Sequence, residues 1–451
     1  LADLRRLLDE GRPIFGTDGV RGLAGSELTA DLALAIGRAA GTHLRGGPVL
    51  VGRDTRRSGE MLSSALQAGF QSVGIDTVDV GVLPSGGISY LTASSGATMG
   101  AIVSASHNPA DDNGIKLLSS RGTKLADEVE RELEERLRAS GSRVTVGPDV
   151  GTRFVDADAL DRYVDFLASI SRYKLSGLEI ALDCAHGAAF KAAPMLFQRL
   201  KADVEVHADA PDGTNINAGW GATNPERLAG VIGGRIGLAF DGDADRLIAI
   251  DEDGRVANGD VILAVVARHM KAQGQLKNNR VVATVMSNLG FRKSMAEAEI
   301  ALTETKVGDR YVLEAMMEEK VVVGGEQSGH IIFLDKGYTG DGLLTAVRLL
   351  DVVAGTGKEL RELRAEAITE YPQVLQNVPV ARGASLDNAG AVWDEVRAVE
   401  SELGDDGRVL VRASGTEPLI RVMVEAPSEE AARRYAERLT SVTQSSMGKE
   451  G

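Results

Sequence analysis

Short apolar runs recur along most of the chain, separated by stretches in which apolar residues fall at helical spacing. Pro48-Val49-Leu50-Val51-Gly52 is one such run; helical spacing follows from Ser58 to Val73, then a second run from Asp76 to Val80. Met99 to Val103 reads as a third strand, and a charged helix is predicted from Asp127 to Ala139. This alternation predicts α/β units. Residues 141–151 are polar and carry Gly and Pro, so a linker is expected there. A second set runs from a helix near Tyr163 to paired strands at Arg235–Phe240 and Leu247–Asp251. A third opens with a helix at Gly259–Ala272 and closes with helices between Gly340 and Ala367. Past Tyr371-Pro372 the order becomes strand, helix (Asn388–Leu403), hairpin, helix (Ser428–Val442), an α+β pattern. No short-period repeat is present, but three units of similar order suggest tandem copies of one topology. The expected divisions are 1–152, 153–256, 257–369 and 370–451.

Composition narrows the partners. A chain of 451 residues is long enough for several domains, and 43% hydrophobic with 25% charged residues is the balance of a globular protein. The formal charge of −15 repels nucleic acid and anionic lipid, so an anionic ligand would need a local basic pocket. The single cysteine, Cys184, excludes an intramolecular disulfide framework and a Cys-rich zinc site; its apolar neighbours Ile180-Ala181-Leu182 predict a buried thiol. No apolar run has the length of a membrane span, and Leu1-Ala2-Asp3-Leu4-Arg5-Arg6 lacks a signal peptide's layout, so a cytoplasmic location is expected.

Four segments carry candidate chemistry. Strand Ala101-Ile102-Val103 runs into Ser104-Ala105-Ser106-His107-Asn108-Pro109, where a hydroxyl at a strand end can carry a phosphoryl group. His107 and Lys116 can neutralise that group or move protons, although taken alone the segment reads equally well as an ordinary turn. Phe240-Asp241-Gly242-Asp243-Ala244-Asp245-Arg246 places three carboxylates at alternating positions. Each converging pair would repel by about 4 kcal/mol at 4 Å and an effective dielectric near 20, a cost that a hard dication removes. Oxygen-only donors favour Mg²⁺ over zinc. An EF-hand would need glycine where Arg246 stands, and helical rather than strand-like flanks; a solvated acidic turn remains the alternative.

Gly324-Gly325-Glu326-Gln327-Ser328-Gly329-His330 lies between two apolar runs and offers donors and acceptors suited to sugar hydroxyls, or is a hairpin with incidental polar residues. Arg412-Ala413-Ser414-Gly415-Thr416-Glu417-Pro418, followed by Arg421, brackets a turn that can cradle an anion, or is a hairpin with surface arginines. No Gly-x-x-x-x-Gly-Lys-Ser/Thr loop exists, which disfavours a kinase or ATPase.

Together with Phe15-Gly16-Thr17-Asp18-Gly19-Val20-Arg21-Gly22, and in this order, these segments resemble the alpha-D-phosphohexomutase superfamily over the whole chain. The pattern is most similar to the bacterial branch acting on glucosamine phosphates, through Gly19-Val20-Arg21-Gly22, Gly325 to His330, and Arg421-Val422-Met423-Val424-Glu425. The resemblance implies an α/β fold of four domains, three of related α/β topology and a C-terminal α+β domain, around a central cleft. It implies interconversion of glucosamine 6-phosphate and glucosamine 1-phosphate through a sugar 1,6-bisphosphate, a step toward UDP-N-acetylglucosamine. It makes Ser106 the phosphoserine and, with Asp241, Asp243 and Asp245, the Mg²⁺ site. Glu326 and Ser328 become sugar readers, and Arg412, Ser414, Gly415, Thr416 and Arg421 a distal phosphate site. Arg21, His107, Lys116 and Arg246 line the reaction centre, with Lys116 or His107 as base. The implied partners are a phosphohexosamine and a second copy in a homodimer, with neither nucleic acid nor membrane. The neighbouring readings are a mutase acting on mannose or glucose phosphates and a non-catalytic phosphosugar binder. One departure is His186, where such mutases usually carry Asn.

Overall fold

The computed structural model describes residues 14–16, 18–44, 46–139, 144–380, 386–414 and 418–447. It divides into two compact units: residues 1–286 with 300–367, and residues 287–299 with 368–451.

Among the described residues the first unit holds three sheets. Strands β1 (Val20–Leu23), β2 (Val49–Arg53), β3 (Thr77–Val82), β4 (Met99–Val103), β5 (Asp112–Ser119) and β6 (Arg153–Val155) form a sheet of order β1-β5-β4-β2-β3-β6. Strands β7 (Glu179–Asp183), β8 (Asp203–His207), β9 (Ile236–Phe240), β10 (Leu247–Ile250) and β11 (Val256–Ala257) form the second, β11-β10-β9-β7-β8. The third, β13-β12-β14-β15, comprises β12 (Arg280–Thr284), β13 (Ala301–Thr305), β14 (Val323–Gly325) and β15 (Ile331–Phe333).

One scheme recurs in all three. Three parallel strands, β4-β2-β3, β9-β7-β8 and β14-β12-β13, are extended by an antiparallel strand, β5, β10 or β15, that follows directly after the first-named one. The tandem topology expected from the hydrophobic pattern is therefore present. Each candidate loop of this unit is the hairpin that reverses direction into the antiparallel strand. Strands β4 and β9 are buried throughout, as strands covered on both faces must be, which is why they read as unbroken apolar runs. β6 pairs with β3, so the first sheet takes its edge strand from just beyond residue 152.

The helix Gly259–Ala272 starts where Asn258 accepts from the N–H groups of Asp260 and Val261, and Gly342–Thr356 starts where Asp341 accepts from Leu344 N–H. Gly357, left-handed at φ 68°, ends the latter. Glu252, which stands where an EF-hand would have its twelfth ligand, instead accepts from Leu360 and Arg361 N–H at 2.8 and 2.9 Å and caps helix Leu360–Ala367.

In the second unit β16 (Gln373–Pro379), β17 (Arg408–Ala413) and β18 (Leu419–Glu425) form an antiparallel sheet of order β16-β18-β17. Helices Gly390–Leu403 and Glu429–Met447 pack against it through Val392, Val396, Val399, Tyr435 and Leu439. Helix Leu289–Glu297 belongs to this unit: Leu289 N–H donates to Glu425 Oε2 at 3.0 Å and Asn288 Nδ2 to Tyr371 O at 2.9 Å.

Candidate active site

The β4–β5 hairpin presents Ser106, which is 1% exposed and left-handed at φ 50°. Few non-glycine residues adopt that region. The turn is fixed from below: Ser106 N–H donates to Ser104 Oγ at 2.9 Å, and Ser104 Oγ donates to Asp54 at 2.6 Å. Ser106 Oγ then points out of the first sheet and donates to Asp241 Oδ2 at 2.6 Å, with His107 Nδ1 at 3.3 Å.

Asp241 opens the β9–β10 hairpin. One oxygen each from Asp241, Asp243 and Asp245 lies within 4.8 Å of the others, and all three residues are buried. Asp243 accepts from Ser85 Oγ at 2.7 Å and from Lys116 Nζ at 3.3 Å. Burial, then Asp245 and Asp243, push the Asp241 carboxyl well above the usual carboxylate range. Burial also acts on Asp243, but Lys116 and Ser85 outweigh it and bring it down to about 2. Among the described residues, the buried Oδ1 atoms of Asp243 and Asp245 have no hydrogen-bond partner. Crowded carboxylates with unengaged lone pairs fit a hard divalent cation, and Mg²⁺ suits an all-oxygen set.

Cations surround the acids. Lys116, on β5, lies 3.2 Å from Asp18 and 3.3 Å from Asp243. Burial alone would lower its pKa, but Asp18, Asp243 and Asp245 raise it, so it stays charged. His107 goes the other way: burial, then Arg246 and Arg21, bring it down to about 4, which leaves a neutral ring at pH 7. Of the two base candidates only His107 has a free lone pair to offer. Arg21 pairs with Asp18 and reaches Asn108 Oδ1 at 3.3 Å. Arg246 loses affinity for its proton through burial but regains more from Asp245, Asp241, Asp243 and Glu326.

In the β14–β15 hairpin, Glu326 Oε1 accepts from Gly308 N–H at 3.0 Å, and Ser328 is exposed. The structure thus brings Ser106, His107, Lys116, Arg21, Arg246, the three aspartates and Glu326 into one neighbourhood. In the second unit Arg412 and Arg421 face each other across β17 and β18, and Ser414 N–H closes on Leu419 O at 2.9 Å. Burial, then Arg421, lowers the Arg412 pKa, and like charges directly opposite favour an anion between them. Gly415 and Thr416 lie outside the described residues.

Sequence reasoning passed over Lys124 and Asp309 in this network. Lys124 Nζ bridges Asp18 at 2.5 Å and Asp309 at 2.7 Å, and His330 Nε2 lies 3.8 Å from Asp309 and 3.9 Å from Asp245. The signal was Val307-Gly308-Asp309, a polar break after a strand-like run. His186 has φ 48°, in the left-handed region where Asn is favoured and His is tolerated. Its N–H donates to Ala208 O and its carbonyl accepts from Thr55 Oγ1, both at 2.6 Å, so the position is a backbone junction. Cys184 is buried and its thiol is pushed well up, by burial first and then by Asp183 and Asp209.

Four family descriptions match successive stretches: phosphoglucomutase/phosphomannomutase alpha/beta/alpha domain I over residues 12–143, domain II over 161–254, domain III over 258–371, and the C-terminal domain over 375–442. The chain belongs to the phosphoglucomutase/phosphomannomutase family. It is 47% identical over 449 residues to a phosphoglucosamine mutase of Exiguobacterium, covering 97% of this chain and 99% of that protein. A phosphoglucosamine mutase of Bacillus pumilus is 48% identical over 443 residues, covering 96% and 99%. Among solved structures, a phosphoglucomutase/phosphomannomutase family protein of Burkholderia thailandensis superposes with a TM-score of 0.80 at 27% identity, over 97% of this chain and 98% of that one. As a member of the phosphoglucomutase/phosphomannomutase family the chain is a mutase, an enzyme of the isomerase class. Among the described residues no helix is long and apolar enough to cross a membrane.

Proposed function

We propose that the chain interconverts glucosamine 6-phosphate and glucosamine 1-phosphate in the cytoplasm, with Ser106 carrying the phosphoryl group between turnovers. The observation that carries this reading is the 2.6 Å bond from Ser106 Oγ to Asp241, which sets a nucleophilic hydroxyl against three carboxylates. The choice of hexosamine is supported by the relatives named phosphoglucosamine mutase.

In the first half-reaction the sugar O1 attacks the phosphorus of phosphorylated Ser106. The bond from phosphorus to Ser106 Oγ breaks, the proton that O1 gives up ends on Ser106 Oγ, and glucosamine 1,6-bisphosphate forms. After the intermediate reorients, Ser106 Oγ gives up its proton as it attacks the 6-phosphoryl group, O6 leaves and takes up that proton, and glucosamine 1-phosphate departs. His107, neutral at pH 7 and 3.3 Å from Ser106 Oγ, is the group suited to relaying the proton from O1 to Ser106 Oγ and back to O6. Lys116 and Arg246, both kept charged, oppose the negative charge of the transferring group. Mg²⁺ held by Asp241, Asp243, Asp245 and a Ser106 phosphate oxygen would neutralise that charge further. Arg21 would orient the reacting phosphoryl oxygens, and Glu326 and Ser328 would read sugar hydroxyls. Arg412, Ser414 and Arg421, with Gly415 and Thr416, would bind a phosphate of the substrate. The segments 1–152, 153–256, 257–369 and 370–451 would each contribute one hairpin to this work.

The test combines intact mass before and after phosphatase with turnover on three sugars. Loss of one phosphate from the wild type but not from Ser106→Ala is expected, with kcat/KM highest on glucosamine 6-phosphate. A higher kcat/KM on the glucose or mannose 6-phosphate would replace the hexosamine assignment.

A further inference from the structure

The Ser106 hairpin is gripped by two side chains that no motif singled out. Arg56, which follows β2, is fully buried, and its guanidinium is spent on holding this turn. Nε donates to Asp54 Oδ2 at 2.9 Å, Nη2 to Ser106 O at 2.9 Å and Asn108 O at 2.8 Å, and Nη1 to Asp112 O at 2.9 Å and to Pro109 O. Asn217 approaches from the second sheet's side of the unit. Its Nδ2 donates to the same two carbonyls, Ser106 O at 2.9 Å and Asn108 O at 3.0 Å. Each carbonyl therefore receives two N–H bonds, which uses both of its lone pairs.

Asn217 keeps this geometry against its own interest. It is left-handed at φ 60°, and its buried Oδ1 has no hydrogen-bond partner among the described residues. A buried amide oxygen left unsatisfied is destabilising, so the NH₂ end is the end that is used. Gly242, between Asp241 and Asp243, makes the approach fit: a Cβ there would lie 2.6 Å from Ser106 O and 2.8 Å from Asn217 Nδ2.

We propose that Asn217, acting with Arg56, is a positioning residue for phosphoryl transfer. The pair locks the Ser106 carbonyl, and with it the left-handed backbone that aims Oγ at Asp241, so that donor and acceptor steps share one trajectory. This rests on the reading of Ser106 as the phosphoryl carrier. The hydrogen bonds described for the two side chains end on backbone carbonyls and on Asp54, not on Glu326 or Ser328. Their loss should therefore appear in the chemical step and spare affinity.

Asn217→Asp tests this, because Asp keeps the size and the tolerance of positive φ but turns a donor pair into acceptors facing two carbonyls. Asn217→Ala serves as a second variant without the added charge. The expected result is a fall in kcat of about 10²-fold in both reaction directions, with KM within about threefold, since misplacement of a reacting atom by about 1 Å costs that much. Single-turnover transfer from Ser106-phosphorylated enzyme to glucosamine 6-phosphate, measured on protein with native circular dichroism, should slow by the same factor. Wild-type kcat in both variants, or a loss confined to KM, overturns the proposal. Ser106→Ala run in parallel separates the two ideas. If it is inactive while both Asn217 variants turn over normally, only the positioning role fails; if it is active, the phosphoserine reading fails as well.

Discussion

The β4–β5 and β14–β15 hairpins occupy the same place in two copies of one topology, yet they are built to opposite ends. The first is almost wholly buried at Ser106, and its carbonyls are saturated by Arg56 and Asn217. The other is held mainly by main-chain bonds, Gly259 N–H to Gln327 O and Leu247 N–H to Gly329 O, both at 3.0 Å, and leaves Ser328 exposed. A reacting atom tolerates little displacement, so buried side chains are committed to fixing backbone. A loop proposed to read hydroxyls needs its side chains available, so its backbone is held by backbone. On the proposed function, the contrast separates a loop that sets rate from one that sets affinity.

The largest expected break is Ser106→Ala. Turnover should fall by about 10³-fold or more, measured with glucosamine 6-phosphate and a trace of the 1,6-bisphosphate. Ordinary turnover would remove the serine from the mechanism. Next is Asp243→Asn, which should lower activity by about 10²-fold at low Mg²⁺, with partial recovery as Mg²⁺ is raised. A chelator should silence the wild type, and activity surviving exhaustive chelation would count against a metal at the aspartates. In the reading loop, Glu326→Ala should raise KM by about 10- to 100-fold with a smaller change in kcat, the size of a lost charged hydrogen bond. Ser328→Ala should raise it by about fivefold. If either acted on kcat alone, the division between the hairpins would collapse.

The smallest effect concerns the support beneath them. Asp341 caps helix Gly342–Thr356 and accepts from Tyr163 OH at 2.8 and 2.9 Å, and burial pushes its carboxyl up to about 6. A folded-state pKa above the unfolded one means the folded protein binds the proton more tightly between the two values. Stability should therefore fall as pH rises from about 4 through 6, by about 1–3 kcal/mol. Asp341→Asn should flatten that slope in denaturant titrations across this range, and an unchanged slope would assign it to other groups.

Much of this was readable in the chain. Strand Met99–Val103 and helix Gly259–Ala272 have the limits the pattern gives, because a covered strand is uniformly apolar and Asn258 marks the helix start. Helix Ser85–Ser94 escaped notice because Gly86 and Gly87 stand at its start, where glycine normally argues against helix. Gly86 and Gly87 are small for a packing reason: a Cβ would run into Asp341 at the first and Tyr163 at the second. Acidic alternation flagged Asp241, Asp243 and Asp245 because their partners lie within one hairpin. Arg56, Asn217 and Lys124 were invisible because each acts on residues remote in sequence, and nothing local marks a surface lysine from a bridging one. The same holds for the two base candidates, whose opposite tendencies come from neighbours on other strands.

The left-handed backbone at Ser106 has a consequence for how such a protein can drift. Glycine would relax that turn but would remove the buried bond to Asp241, so Ser106→Gly exchanges backbone strain for an unsatisfied carboxyl and loses the hydroxyl. On the proposed function, demand for turnover is what retains the hydroxyl there. On that function, lineages released from the demand should lose the serine early.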